Sequence, residues 1–231
     1  MPTVRSSGLL RDVATLPCVG GAFPQRDRFR RGALKLIERE NLLDAAYCYR
    51  IVPLDEPPSH VLRAGGEALD ALRLVPESGQ LTAVAVGICT LGPAFEQRAT
   101  ALFAERRMSL ALALDKLGNE LLFALSRRVQ DRIVIEVRKA GLTAAGELRA
   151  GDPGLPLAAQ TAVHCLAGAD TIGVSVTQGQ VLHPLKSMSM VLGIGIDLPP
   201  VRWSRCDDCP SAPRCQMSGR IAVPAMLRAA P

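Results

Sequence analysis

Three cysteines near the end of the chain have the spacing of metal ligands. Cys206, Cys209 and Cys215 follow the pattern C-x2-C-x5-C. A C-x2-C pair places two thiolates on one tight turn, and a third thiolate a few residues later can close around the same ion or cluster. We therefore predict that this segment binds a metal, with these three cysteines as ligands.

The identity of that metal stays open on spacing alone. The pattern differs from the C-x2-C-x2-C-x3-C run of bacterial ferredoxins, and the segment lacks the second C-x2-C or the histidine pair of a zinc site. We expect a 4Fe-4S cluster, with structural zinc or an unligated redox thiol set as alternatives. Three thiolates are one short of a closed site, so the fourth ligand is Cys48, Cys18 or none from this chain. We favour Cys48, because its neighbours are polar and aromatic.

The composition predicts one globular core with a small appendage. The chain has 231 residues, of which 48% are hydrophobic, and no apolar run reaches the roughly 18 residues that a membrane span needs. The first residues lack the apolar core of a secretory signal. We therefore expect a cytoplasmic protein, a compartment in which clustered cysteines indicate metal binding rather than disulfides.

The charge distribution argues against nucleic acid as a partner. The net charge is +5, but aromatic residues make up only 3% of the chain, and nucleic-acid binders interleave clustered basic groups with stacking aromatics. The arginines are scattered except for Arg26, Arg28, Arg30 and Arg31. This cluster is interpreted as a solvated surface or, alternatively, as a docking site for an acidic protein.

The apolar periodicity predicts an α+β fold, in which helices pack on a largely antiparallel sheet. Residues 1–25 are expected to form an irregular arm. Helices are predicted over 31–46, 59–74, 93–107, 110–129 and 157–166. Strands are predicted over 81–89, 171–177 and 181–195, with a hairpin turn at 178–180.

The same pattern suggests three parts to the chain. We expect an N-terminal arm (1–30), a central domain (31–198) and a cysteine-rich metal-binding tail (199–231). The isolated cysteines Cys89 and Cys165 are interpreted as core residues. The three histidines lack the paired spacing of metal ligands and are interpreted as structural, although His183 could complete a metal site.

Five segments, in this order, resemble one family. They are 88–92, 113–120, 151–157 with Gln160, 172–177 and 182–193. Together they resemble the reactivation domain of cobalamin-dependent methionine synthase in its short stand-alone form, whose members often end in a cysteine-rich tail. The resemblance implies a curved antiparallel sheet with flanking helices. It also implies S-adenosylmethionine as ligand, and a role in returning a cobalt(II) corrinoid to the methylated state with one electron and one methyl group.

The resemblance also implies candidate contacts to that ligand. The family's loop carries an arginine followed by a Pro-Gly-Tyr turn, so that arginine can grip the methionine carboxylate and glycine lets the backbone approach the adenosine. Here the loop runs from Arg149 to Gly154 through Gly151 and Asp152, with a different spacing and with Asp152 roughly where the tyrosine stands. The alternative is that Arg149 is a surface charge and that the glycines serve a turn.

Two further candidates lie in the last family-like segment. Lys186 and Ser187 could contact a phosphate or carboxylate of the ligand, or could form a solvated strand end. No catalytic residue is identified, and the sequence leaves open whether the protein turns over as an enzyme.

These observations predict an iron–sulfur accessory protein of corrinoid-dependent methyl transfer. It would deliver an electron to a cobalt(II) corrinoid held by a corrinoid protein or a cobalamin-dependent methyltransferase, and would itself be reduced by a redox donor protein. Two alternatives stay open. One is a non-catalytic, zinc-stabilised module that binds a corrinoid methyltransferase subunit. The other is an S-adenosylmethionine-binding methyl donor for cobalamin.

Overall fold

The computed structural model describes residues 6–14 and 24–199 of the chain. The helices in these residues are α1 (Ser6–Ala14), α2 (Pro24–Arg39), α3 (Ala94–Ala104), α4 (Met108–Lys139) and α5 (Gln160–Ala167). The strands are β1 (Ala46–Pro53), β2 (Val61–Ala64), β3 (Glu67–Asp70), β4 (Gln80–Thr90), β5 (Thr143–Leu148), β6 (Ser175–Val176), β7 (Leu182–His183) and β8 (Ser187–Ile196). No helix among these residues combines the length and apolarity that a bilayer-spanning segment requires.

A four-stranded antiparallel sheet organises the fold. Its strand order is β1-β4-β8-β5. Helices α1 to α4 cover one face of the sheet, whereas α5 and the β2–β3 hairpin cover the other. Each face therefore has its own apolar core, and the predicted α+β class with an antiparallel sheet flanked by helices is confirmed.

The central strand β4 is buried because both of its faces are covered. From Leu81 to Thr90 its side chains are almost all buried, and they alternate between the two cores. A continuous apolar run is the sequence pattern of such a strand. The predicted strand over 81–89 is therefore confirmed, as are the helices predicted over 93–107 and 157–166. The helix predicted over 110–129 is present but runs on to Lys139.

The predicted helix over 59–74 is wrong, because this segment forms the β2–β3 hairpin and a short 3-10 turn. The hairpin turns at Gly65 and Gly66, whose φ angles of 56° and 81° favour glycine. The carboxylate of Asp55 accepts hydrogen bonds from both glycine amides. Leucine, alanine and glutamate made the segment look helical, but the Gly-Gly pair decided its structure.

The N-terminal predictions also need correction. Part of the arm expected to be irregular forms helix α1, and its Leu9 and Val13 are fully buried in the core that α4 also lines. The helix predicted over 31–46 lies instead at 24–39, and residues 46–53 form strand β1. Asn41, with a positive φ of 48°, lies just beyond the helix end.

Several predicted strands are shorter than expected. Of the strand predicted over 171–177, residues 171 and 172 belong to the 3-10 turn Ala169–Ile172, and within that range only Ser175–Val176 pairs as a strand. The strand predicted over 181–195 is divided into β7 and β8. The hairpin turn predicted at 178–180 is confirmed, since the Thr177 amide donates to the Val181 carbonyl oxygen. Strand β5 was not predicted at all.

Candidate functional site

The predicted metal ligands fall mostly outside the described residues. Cys206, Cys209, Cys215 and Cys18 all lie there, so their ligand roles stay predictions. Cys48 lies in β1, half-buried against the core on the α5 side, and burial raises the pKa of its thiol. Across residues 6–14 and 24–199, no group of three or more His, Cys, Asp or Glu side chains is placed to hold a metal ion.

Lys186 lies across the first half of helix α4. Its ammonium nitrogen donates to Asp115 Oδ1 at 2.6 Å and to Asn119 Oδ1 at 2.7 Å. The aliphatic part of the side chain packs over Gly118, where an added Cβ would lie 3.1 Å from the Lys186 Cε. Gly118 therefore lets the Lys186 side chain lie close to the helix. The ammonium group that was a candidate ligand contact is hydrogen-bonded to Asp115 and Asn119 of this chain.

Arg149 contacts the same face of α4, further along. Its Nη2 donates to Ser126 Oγ at 3.1 Å, and its guanidinium carbon lies 5.5 Å from the centre of the Phe123 ring. Asn119 and Ser126 are seven positions apart, about 10 Å along a helix, and project from one side of it. We call the row of α4 residues Asp115, Asn119, Phe123 and Ser126 the α4 seam. Lys186 and Arg149 contact this row from outside the helix. The seam brings the two candidate segments onto one surface of one helix.

The guanidinium of Arg149, the residue directly after strand β5, is paired with a carboxylate of that strand. Glu147 Oε1 accepts from Nε at 2.9 Å and lies 2.8 Å from Nη2. The Arg149 and Glu147 side chains are only 12% and 9% exposed. Arg149 is thus not a surface charge. A ligand carboxylate would have to compete with Glu147 for the guanidinium. The residues present therefore do not fit the expected bidentate contact between Arg149 and the carboxylate of S-adenosylmethionine.

The loop from Arg149 to Gly154 is a tight turn that bonds to itself. The Asp152 carboxylate accepts from the Arg149 amide at 2.9 Å, and the Asp152 amide donates to the Arg149 carbonyl oxygen at 2.8 Å. Gly154 has a φ of 92°, and a Cβ there would lie 2.8 Å from Arg73 Cδ. Gly151, with a φ of 95°, donates its amide to Leu155. Asp152 and both glycines therefore form the turn, whatever else they contact.

Ser187 belongs to a second polar group, on the sheet itself. Its hydroxyl donates to Thr90 Oγ1 at 2.8 Å, and the same oxygen accepts from the Gly92 amide at 3.1 Å. Further along β8, Ser189 donates to Gln160 Oε1, while the buried Gln160 Nε2 has no hydrogen-bond partner in the described part of the chain. Ser187 is therefore the first residue of strand β8, with its hydroxyl hydrogen-bonded to Thr90, and is not a solvated strand end.

Two of the histidines and two of the isolated cysteines discussed above lie in the described part of the chain next to groups of the protein itself. His164 Nε2 lies 2.7 Å from the Val174 carbonyl oxygen, and His183 Nδ1 lies 3.4 Å from Glu96. Cys89 is fully buried, as predicted, and burial raises the pKa of its thiol to about 12. Cys165 is exposed, so its prediction as a core residue is wrong.

Sequence reasoning missed three residues of this region. Phe123 and Ser126 lie in an apolar helix, where a polar row at positions 115, 119 and 126 was the available signal. Glu147 was missed because strand β5, which carries it, was not predicted. Its run of threonine, alanine and glycine lacks the large β-branched residues that mark a buried strand.

The fold has a solved counterpart. The chain is similar to the MetH reactivation domain, whose crystal structure was determined bound to AdoHcy. The likeness has a TM-score of 0.57 and 13% sequence identity, and it covers 84% of this chain and 70% of that chain. No protein-family model matches the chain, and no curated protein matches it in sequence. At this identity the likeness concerns the fold alone, and the fold that the sequence resemblance implied is the fold observed.

Proposed function

We propose that this protein is an iron–sulfur accessory of corrinoid-dependent methyl transfer that delivers an electron for reactivation of a cobalt(II) corrinoid. The observation that carries the proposal is the fold shared with the MetH reactivation domain over 84% of the chain. The cysteine-rich tail adds a chemical reason, because three closely spaced thiolates suit a metal or cluster. Together these two features support a protein that combines a redox group with a body of the reactivation-domain fold.

The proposal divides the work between two parts of the chain. The body of the protein docks a corrinoid protein or a cobalamin-dependent methyltransferase. Cys206, Cys209 and Cys215 hold the cluster, with Cys48 as the proposed fourth ligand. A 4Fe-4S cluster, when bound, supplies one electron at a time, and a redox donor protein restores it.

The pairing of the seam cations supports electron delivery over methyl donation. Arg149 pairs with Glu147, and Lys186 pairs with Asp115. A methyl donor must hold S-adenosylmethionine firmly, and the arginine that would grip its carboxylate already has a carboxylate partner. Delivery of an electron to a bound partner makes no such demand on these two residues.

The test begins with full-length protein purified without oxygen. We expect iron and acid-labile sulfide in comparable amounts, and absorbance near 400 nm that bleaches on reduction. The reduced protein should then convert cob(II)alamin to cob(I)alamin in stoichiometric amounts, followed by absorbance. Cys209→Ser should lose iron and this reaction while circular dichroism shows a folded body, and Cys165→Ser, an exposed cysteine of α5, should keep both. A colourless protein that carries zinc contradicts the redox role.

A second candidate is a non-catalytic module stabilised by zinc, which binds a corrinoid methyltransferase subunit. The internal pairing of Arg149 and Lys186 also favours it, since a scaffold needs neither as a ligand contact. Structural zinc contributes folding free energy. On this reading Cys209→Ser and chelators lower the melting temperature or the partner affinity. On the electron-delivery reading the body keeps its stability.

A third candidate, the S-adenosylmethionine-binding methyl donor, is tested separately by calorimetry. The full chain is titrated with S-adenosylmethionine and with S-adenosylhomocysteine. Absence of heat at millimolar ligand rules this candidate out and leaves the electron-delivery proposal intact.

A further inference from the structure

Two adjoining grooves lie where helix α2 meets the junction of α3 and α4. One, of about 360 Å³, runs between α2 and α4, and the other, of about 500 Å³, reaches the residues before α4. Phe29 and Ser109 line both. The two grooves therefore form one continuous surface, and neither lining includes a residue of the α4 seam.

The charged side chains along these grooves are all basic. The basic residues that line the grooves are Arg26, Arg28, Arg30, Arg106, Arg107 and Lys116. No acidic side chain of the described residues lines either groove, and nearby Glu105 is already bonded to Arg98 and Arg107. No described carboxylate forms an ion pair with Arg28 or Arg106. Arg30 and Arg107 are paired with Glu120 and Glu105, so the positive charge that the described carboxylates leave without an ion pair is that of Arg28 and Arg106.

Large apolar side chains are exposed between these cations. Phe29 is 37% exposed, and Met108 and Leu112 are each 62% exposed. Met108 and Leu112 are four positions apart on α4 and so lie in one row of the helix. Isolated exposed apolar residues are common, but a cluster rimmed by arginine has the composition of a protein interface.

We infer that this basic corner, defined as Arg28, Phe29, Arg106, Met108 and Leu112, docks an acidic amphipathic segment of a partner protein. Carboxylates of the segment pair with the arginines, while its apolar side chains cover the methionine, leucine and phenylalanine. Nucleic acid fits less well, because single-stranded binding needs several aromatic platforms, and among the described residues that line the grooves Phe29 is the one aromatic side chain. The inference rests on charge and exposure, and stands independently of the proposed redox role.

The test uses the full chain and fluorescence anisotropy with defined probes. The first is an amphipathic peptide of about four helical turns with Glu on one face and Leu on the other. The second replaces every Leu with Ser at equal charge, and the third is a single-stranded oligonucleotide. We expect the first peptide to bind most tightly, with an affinity that falls as salt increases.

Two pairs of variants localise the binding. Arg28→Glu/Arg106→Glu should weaken it at least about tenfold, whereas Arg63→Glu/Lys139→Glu, which reverses two distant exposed charges, should not. Leu112→Ser should weaken it several-fold, whereas Ile135→Ser, about 35 Å away on the same helix, should have little effect. The inference is overturned if the first peptide does not bind, if the Ser peptide binds equally well or the oligonucleotide binds more tightly, or if the distant variants lose as much affinity.

Discussion

The guanidinium of Arg149 lies 2.8 Å from a carboxylate oxygen of Glu147, and both side chains are about nine-tenths buried. Arg149 also donates a hydrogen bond to Ser126 Oγ, so the pair links the end of strand β5 to helix α4. The arginine expected to grip a ligand therefore holds together two elements of its own fold. Its first role is structural, and any role toward a ligand must start from this paired state.

Arg149→Met should lower the free energy of unfolding by about 3–5 kcal/mol, because it removes the guanidinium that lies 2.8 Å from the nearly buried Glu147 carboxylate. The double variant Glu147→Gln/Arg149→Met should recover most of this loss, since it removes the carboxylate charge as well. Urea denaturation of the full chain measures both. Arg39→Met serves as the control, because the Arg39–Glu40 pair is exposed and exposed pairs contribute less than about 1 kcal/mol. Equal losses in the two arginine variants contradict the prediction.

A second buried ion pair joins α1, α2 and α4. Arg30 donates to Glu120 at 2.6 Å and to the Val13 carbonyl oxygen at 2.8 Å. The other carboxylate oxygen of Glu120 is buried without a hydrogen-bond partner in the described residues. The arginine is thus the main compensation for a carboxylate that is 1% exposed.

Arg30→Met should therefore destabilise the protein by about 3 kcal/mol or more, whereas Arg30→Met/Glu120→Met should be close to neutral. Chemical denaturation gives both values. Hydrogen exchange adds a second measure, because loss of the bond to Val13 should increase amide exchange within α1. A single variant as stable as the original protein, or a double variant less stable than the single, goes against this account.

Much of the fold follows from the sequence, because long apolar segments specify buried elements directly. Strand β4 and helices α3 to α5 were predicted for this reason. The secondary structure of segments 59–74 and 143–148 was not predicted correctly, for opposite reasons. The first has helix-forming residues on both sides of a Gly-Gly turn, and the second has small side chains whose strand state depends on pairing with β8.

The site was less predictable, because its contacts join residues far apart in the chain. The sequence identified Arg149 and Lys186 as candidates, but spacing could not show that α4 supplies their partners. Lys186 bonds a residue 71 positions away, and Arg149 one that is 23 positions away. The partner Glu147 is close in sequence, yet it could be found only with strand β5, which carries Glu147 and ends one residue before Arg149.

Burial of Cys89 predicts a loss of stability in alkali. The folded-state pKa of this thiol is raised to about 12 by burial, so the folded protein keeps a proton that the unfolded chain releases. The contribution is complete below the unfolded-state pKa and is lost as the pH rises toward 12. Between about pH 9 and 10.5 the loss should reach about 2 kcal/mol. Urea denaturation at several pH values should show a shallower decline for Cys89→Ala than for Cys165→Ala. Parallel declines would refute the assignment.

Cys165 offers the opposite case, an exposed thiol whose reactivity is held down by a neighbour. Its hydrogen bond to the Glu67 carboxylate raises its pKa, and the thiolate is the form that reacts with alkylating agents. Glu67→Gln removes the negative charge, so the pKa should fall and the thiolate fraction near pH 8 should rise. We expect alkylation by iodoacetamide to become about two- to fivefold faster. Mass spectrometry of the peptide containing Cys165 gives this rate, and the buried Cys89 should stay unmodified in both proteins. An unchanged or slower rate at Cys165 would mean that Glu67 does not control this thiol.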